Sequence, residues 1–147
     1  MGDGLAMCFN NTSVLFLILR VILGMLFFFQ GYDKVFKLKI TGVIDFFKSD
    51  VNHHKIPSFV LRSSAYVTSY IELIGGALLI LGLFNNYTLY LLGFDLVIVA
   101  GALSILKPMW DLQLFFPRLL MLSILLYLPA ENNLFSIDYL IHCILSH

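Results

Sequence analysis

The chain has 147 residues, of which 60% are hydrophobic and only 12% charged, a balance outside that of ordinary soluble domains. Nine basic and nine acidic side chains leave no net charge, so nothing recommends a nucleic-acid partner. Length and composition together indicate a single domain, residues 1–147, built for the lipid bilayer.

Met1 to Ser13 has no basic residue ahead of the first apolar run and no small-residue cleavage site, so that run is expected to stay as a helix. A spanning helix needs about 20 largely apolar residues. Four segments meet or approach this, at 13–36, 62–83, 87–106 and 113–130. Asn85-Asn86 separates the second from the third, and Lys107-Pro108 ends the third, because proline lacks a backbone donor and disfavours helix in the residue before it. The loops after the second and third segments are short, which makes neighbours antiparallel. The expected fold is therefore all-α and polytopic, an antiparallel four-helix transmembrane bundle.

The long connection, 37–61, carries Lys37, Lys39, Lys48 and Lys55, with Lys34 and Arg62 at its edges, and Lys107 falls in the third loop. The positive-inside rule places both loops on the cytoplasmic side and the N- and C-termini outside. Val43, Ile44, Phe46 and Phe47 suggest a short interfacial segment within this connection. His53-His54 in the same loop reads as a pair of solvated residues, since adjacent histidines point different ways on a helix and make a poor metal pair. Beyond the polar Pro129–Asn133 stretch, Ser136 can cap a closing amphipathic helix, 136–146, with Ile137, Leu140, Ile141, Ile144 and Leu145 as its apolar stripe and Asp138 in its first turn. That helix is too short to span, and it reads as interfacial.

An ionisable group inside a spanning helix costs about 2.5–3.5 kcal/mol on insertion scales, so it should face protein or water. Glu72 is such a group. At helical spacing its face holds Ala65, Thr68, Ser69, Gly75 and Gly76, all small or hydroxylated, whereas Tyr70, Leu73, Leu78 and Leu81 face away. On the first helix Arg20, Gly24, Phe27, Gly31 and Lys34 form one stripe, the natural partner for Glu72's face. Counting rise from each helix midpoint puts Arg20 and Glu72 at similar depth, which predicts an Arg20–Glu72 pair. Asp95 falls at nearly the same level, with Arg118 and Gln30 nearer the cytoplasmic side. The candidate polar site is thus Arg20, Glu72, Asp95, Arg118, Gln30 and Lys34, with Gly24, Gly31, Gly75 and Gly76 allowing close helix packing. Read structurally, the same charges are a clamp fixing helix register; read functionally, they line a pocket for a quinone or a lipid headgroup, or handle protons.

No histidine lies in any of the four spans, so a bis-histidine haem is not expected, and no metal site is expected either. There is no Gly-x-Gly-x-x-Gly loop for a nucleotide and no nucleophile with histidine and carboxylate neighbours. Cys8 and Cys143 could form a disulfide only if both ends share an oxidising side; two unrelated thiols is the simpler reading.

Leu19-Arg20-Val21-Ile22-Leu23-Gly24 followed by Gln30-Gly31-Tyr32-Asp33-Lys34 resembles the first-helix signature of the DoxX-like membrane family. Ile56-Pro57, then Glu72-Leu73-Ile74-Gly75-Gly76 running to Gly82-Leu83, is similar to that family's second signature, and Phe135-Ser136-Ile137-Asp138 resembles its ending. The resemblance implies a bacterial-type inner-membrane protein of four helices in a family associated with redox, and it singles out Arg20, Lys34 and Glu72. Asp95 and His53-His54 are outside the pattern. The expected role is a subunit in or beside a quinone-linked redox assembly, more an accessory subunit than a stand-alone enzyme; the competing role is a scaffold subunit that packs against other membrane proteins.

Overall fold

A computed structural model describes residues 11–37, 58–106, 112–129, 131 and 133–145. These residues are all helix and turn, in five α-helices with no strand among them: α1 (Asn11–Tyr32), α2 (Ser58–Leu81), α3 (Asn85–Leu106), α4 (Leu112–Tyr127) and α5 (Ile137–Leu145). Cys8, the 43–47 stretch and His53-His54 lie outside the described residues. Asn11–Lys37 and Arg62–Leu81 are each long and apolar enough to cross a membrane, and Phe115–Tyr127 is a shorter apolar helix.

α1 and α2 make the most extensive contact, α3 packs on α2, and α4 bridges α3 and α1, so the four long helices form a closed ring. Their inward residues are Phe16, Leu23 and Phe27 from α1, Leu79 from α2, Leu89, Leu92 and Leu96 from α3, and Leu122 and Leu125 from α4. The outward face is also apolar: Phe29, Ile74, Tyr90 and Phe94 are all exposed. A chain that is apolar both inside and out suits a hydrocarbon solvent, where helices satisfy every backbone group within the segment.

Glycines set the α1–α2 register. A Cβ on Gly31 would collide with the backbone of Leu73, and one on Gly76 with the backbone of Phe28 and with the Gly24 carbonyl oxygen at 2.8 Å. Gly24 in turn lies against Ile80, whose Cγ1 would be 2.8 Å from an added Cβ. Contacts running from Gly24–Ile80 through Phe28–Gly76 to Gly31–Leu73 define an antiparallel pair with backbones in close approach. Gly75 faces the third helix instead, where Leu92 fills the space beside it.

The α2–α3 turn is tight. Gly82 takes a φ of +71° and Phe84 a φ of +49°, the left-handed region that most side chains avoid. Asp138 from the far end of the chain holds this turn: its carboxylate accepts hydrogen bonds from the amides of Phe84 and Asn85, each at 3.0 Å, and its own amide donates to the Gly82 carbonyl at 3.2 Å. Ser136 caps α5 by accepting from the Tyr139 amide at 3.1 Å. Asp138 thus sits in the first turn of α5 while also capping the start of α3.

The register argument predicts a sharp contrast between two glycines. Gly76→Leu forces apart two backbones and should cost about 1–3 kcal/mol or more. Gly101→Ala, where an added Cβ meets nothing within 4 Å, should be neutral or slightly stabilising. Thermal unfolding of both variants in detergent checks this, and equal melting temperatures would contradict the assigned register.

Candidate functional site

The polar residues singled out in the sequence do not form one site; the structure divides them between two levels. At the first level, Lys34 Nζ donates to both oxygens of Glu72, at 2.8 Å to Oε1 and 2.6 Å to Oε2. The Glu72 side chain is 1% exposed and that of Lys34 18%. Lys34 lies in a five-residue π turn, Asp33–Lys37, that continues α1, and the surface pair Lys37–Asp33 at 2.7 Å braces the same turn. Single π turns within helices commonly mark functional positions.

This pairing corrects the expected Arg20–Glu72 bridge. In the observed register Tyr32 is roughly level with Glu72, and Arg20 lies twelve residues earlier on α1, about 18 Å away at about 1.5 Å per residue. Side-chain direction adds to the separation. Helical side chains lean toward their own N-terminus, so Glu72 leans toward the Lys34 end of the molecule, Lys34 leans inward to meet it, and Arg20 leans the opposite way. The midpoint count fails because α1 begins at Asn11 and α2 at Ser58, and because glycine contacts, not helix midpoints, set the register.

The hydroxyls on Glu72's face do not compete for it. Ser69 donates to the Ala65 carbonyl at 2.7 Å, and Thr68 to the same oxygen at 3.4 Å. Asp95 comes from α3 and is fully buried, with neither carboxylate oxygen hydrogen-bonded. It lies within electrostatic reach of Glu72, Lys34 and Arg118. Arg118, from α4, places its guanidinium carbon 5.7 Å from the centre of the Phe27 ring, and its Nε is buried without a hydrogen-bond partner. Gln30, one turn before Lys34, likewise has a buried Oε1 with no partner. Two basic and two acidic side chains therefore share one level of the interior.

Arg20 belongs to the second level, at the α2–α3 turn. Its Nη1 donates to Asn133 Oδ1 at 3.1 Å and its Nη2 to the Phe135 carbonyl at 2.8 Å. Asp138 lies within electrostatic reach. The guanidinium fills the space where a Gly82 side chain would stand, which is the reason for glycine there beyond its positive φ. Helical periodicity does not identify Asn133, Phe135 and Asp138 as partners of Arg20. The signal available in the sequence is weak: a polar turn following an apolar span, at the end of the chain to which Arg20 leans.

An all-helical protein with apolar surfaces inside and out and an ion pair held between its two membrane-length helices is a membrane protein with a polar interior. The DoxX family model matches residues 15–106, more than half of the chain, and the chain belongs to the DoxX family. The matched residues include Arg20, Lys34, Glu72 and Asp95, while Arg118 and the Phe135–Asp138 ending lie outside them. No curated protein and no solved structure matches the chain.

Because no hydrogen bond or ion pair links the two levels among the described residues, their variants should behave independently. Arg20→Met is expected to release the 133–145 segment, seen as faster amide hydrogen exchange there, with no change around Glu72. Combined with Glu72→Gln, its effect on stability should be additive within about 0.5 kcal/mol. A larger coupling would restore the Arg20–Glu72 pair.

Proposed function

We propose that this chain is a four-helix transmembrane subunit of the bacterial-type inner membrane, working in or beside a quinone-linked redox assembly through the Lys34–Glu72–Asp95–Arg118 cluster. The single observation behind this reading is that cluster: four ionisable groups held at one level between apolar helices, where such side chains are costly and usually functional. The residues fit a quinone in one respect. Arg118 offers a buried N–H donor with no partner, suited to a ring carbonyl, beside an aromatic ring, Phe27. A bound quinone would carry electrons and protons together. The protein's own part is to hold the ring, exclude water and keep acidic groups near it.

In this reading residues 1–147 form one domain with α1 to α4 crossing the membrane and α5 lying at its outer surface. The cytoplasmic side is the one that bears Lys34, Lys37 and Arg62, by the positive-inside rule, and both termini then lie outside. Lipid contacts the exposed aromatic exterior.

A second reading, a scaffold subunit without chemistry, is favoured by one observation: both Glu72 oxygens are already occupied by Lys34. A closed ion pair fixes register and leaves nothing to offer a ligand. Native purification of the tagged chain in mild detergent, with mass spectrometry of co-purifying proteins and extracted quinones, separates the two. The redox reading predicts a dehydrogenase partner or bound quinone, and loss of the associated activity in Glu72→Gln. A large partner complex with no quinone, its activity unchanged by that substitution, would leave the scaffold.

A further inference from the structure

Asp95 is the one carboxylate of the buried cluster that nothing holds. It is 0% exposed and both oxygens lack a hydrogen-bond partner. Lys34 and Arg118 lie within electrostatic reach, but neither forms a hydrogen bond or an ion pair with it among the described residues. From α1, Lys34 gives its ammonium to both oxygens of Glu72. From α4, Arg118 lies over the Phe27 ring and forms no ion pair among the described residues. From α2, Glu72 itself faces Asp95 with the same sign of charge. An ionised carboxylate sealed from water without a bonded cation or hydrogen-bond donor is among the most costly arrangements a protein interior can hold, and such groups neutralise instead.

We propose that Asp95 is a proton-binding site in the membrane interior, and that Lys34 is the switch deciding whether Asp95 or Glu72 carries the negative charge. In the arrangement seen here Asp95 is a neutral acid and Glu72 the carboxylate paired with Lys34. The exchange balances simply. The O–H bond of the Asp95 acid breaks, an O–H bond forms on Glu72, and the Lys34 ammonium swings from Glu72 to Asp95. One proton moves, no electron moves and the cluster keeps its total charge. Two carboxylates within electrostatic reach of each other and sharing one proton is a familiar way of keeping a proton mobile at neutral pH. The long flexible stem of Lys34 supplies the mobile element. This inference stands on the geometry of the four side chains and does not require a quinone.

The test is infrared spectroscopy of the full chain in nanodiscs of ether-linked lipid, which carry no ester carbonyl to mask the carboxylic-acid stretch. At neutral pH the wild-type protein should show an acid carbonyl band that shifts in heavy water. Asp95→Asn, which is isosteric, should abolish it. Glu72→Gln should also abolish it, because Lys34 is then free to pair with Asp95 and ionise it. Absence of the band in the wild type, or its survival in Asp95→Asn, would overturn the proton site; its survival in Glu72→Gln would overturn the Lys34 switch. Circular dichroism and a monodisperse elution profile confirm that each variant is folded. Loss of quinone from the native complex would leave this band untouched, so the two proposals fail separately.

Discussion

Everything in the interior depends on bringing the Lys34 ammonium onto Glu72 in a place where neither could be left alone. Taking a carboxylate and an ammonium out of water costs several kcal/mol for each, repaid only by excellent geometry. The geometry here, two short bonds from one nitrogen to both carboxylate oxygens, requires α1 and α2 to run side by side with almost nothing between them. Gly24, Gly31 and Gly76 make that approach possible. Sequence, packing and electrostatics are thus linked: the glycines set the distance, the distance makes the pair, and the pair makes a buried Glu72 tolerable.

The two polar levels serve different ends. Arg20 is bonded to backbone and amide oxygens of the closing segment, and Asp138 of that segment caps α3, so the far end of the chain is tied to the α2–α3 turn. These bonds tie residues distant in sequence and use both Nη groups of Arg20 and both oxygens of Asp138, as expected of a structural fastening, although Arg20 Nε and the Asn85 side-chain amide stay buried without partners. The Lys34 level is different. It holds a closed pair beside unpaired groups on α3 and α4, with buried polar atoms on Asp95, Arg118 and Gln30 still without partners. Unmet hydrogen-bonding capacity in an apolar interior is where chemistry or binding belongs.

Much of this is legible in the amino-acid sequence. The Glu72 face of small residues, the stripe from Arg20 to Lys34, the Asn85 break and the Ser136 cap all follow from local periodicity and capping, and each is local physics. Register is not local, and it decides the partner of Glu72. The close approach of Gly31 to Leu73 is what brings Lys34, one turn beyond Gly31, beside Glu72, and nothing in the local pattern marks Leu73 as the partner of Gly31. Arg20's partners are less accessible, because Asn133 and the Phe135 carbonyl belong to an irregular segment that no periodicity places. Position along the third segment puts Asp95 near the level of Glu72, but its lack of a partner is a three-dimensional fact.

The central claim, that Lys34 and Glu72 hold the interior together through each other, is tested most directly by exchanging their charges. Lys34→Glu and Glu72→Lys would each bury two like charges, and each should abolish the yield of folded, monodisperse protein from the membrane. The double variant Lys34→Glu/Glu72→Lys restores one of each sign and should recover a substantial part of that yield. If both single variants fold normally, or the double is no better than either, the pair is not what holds α1 to α2.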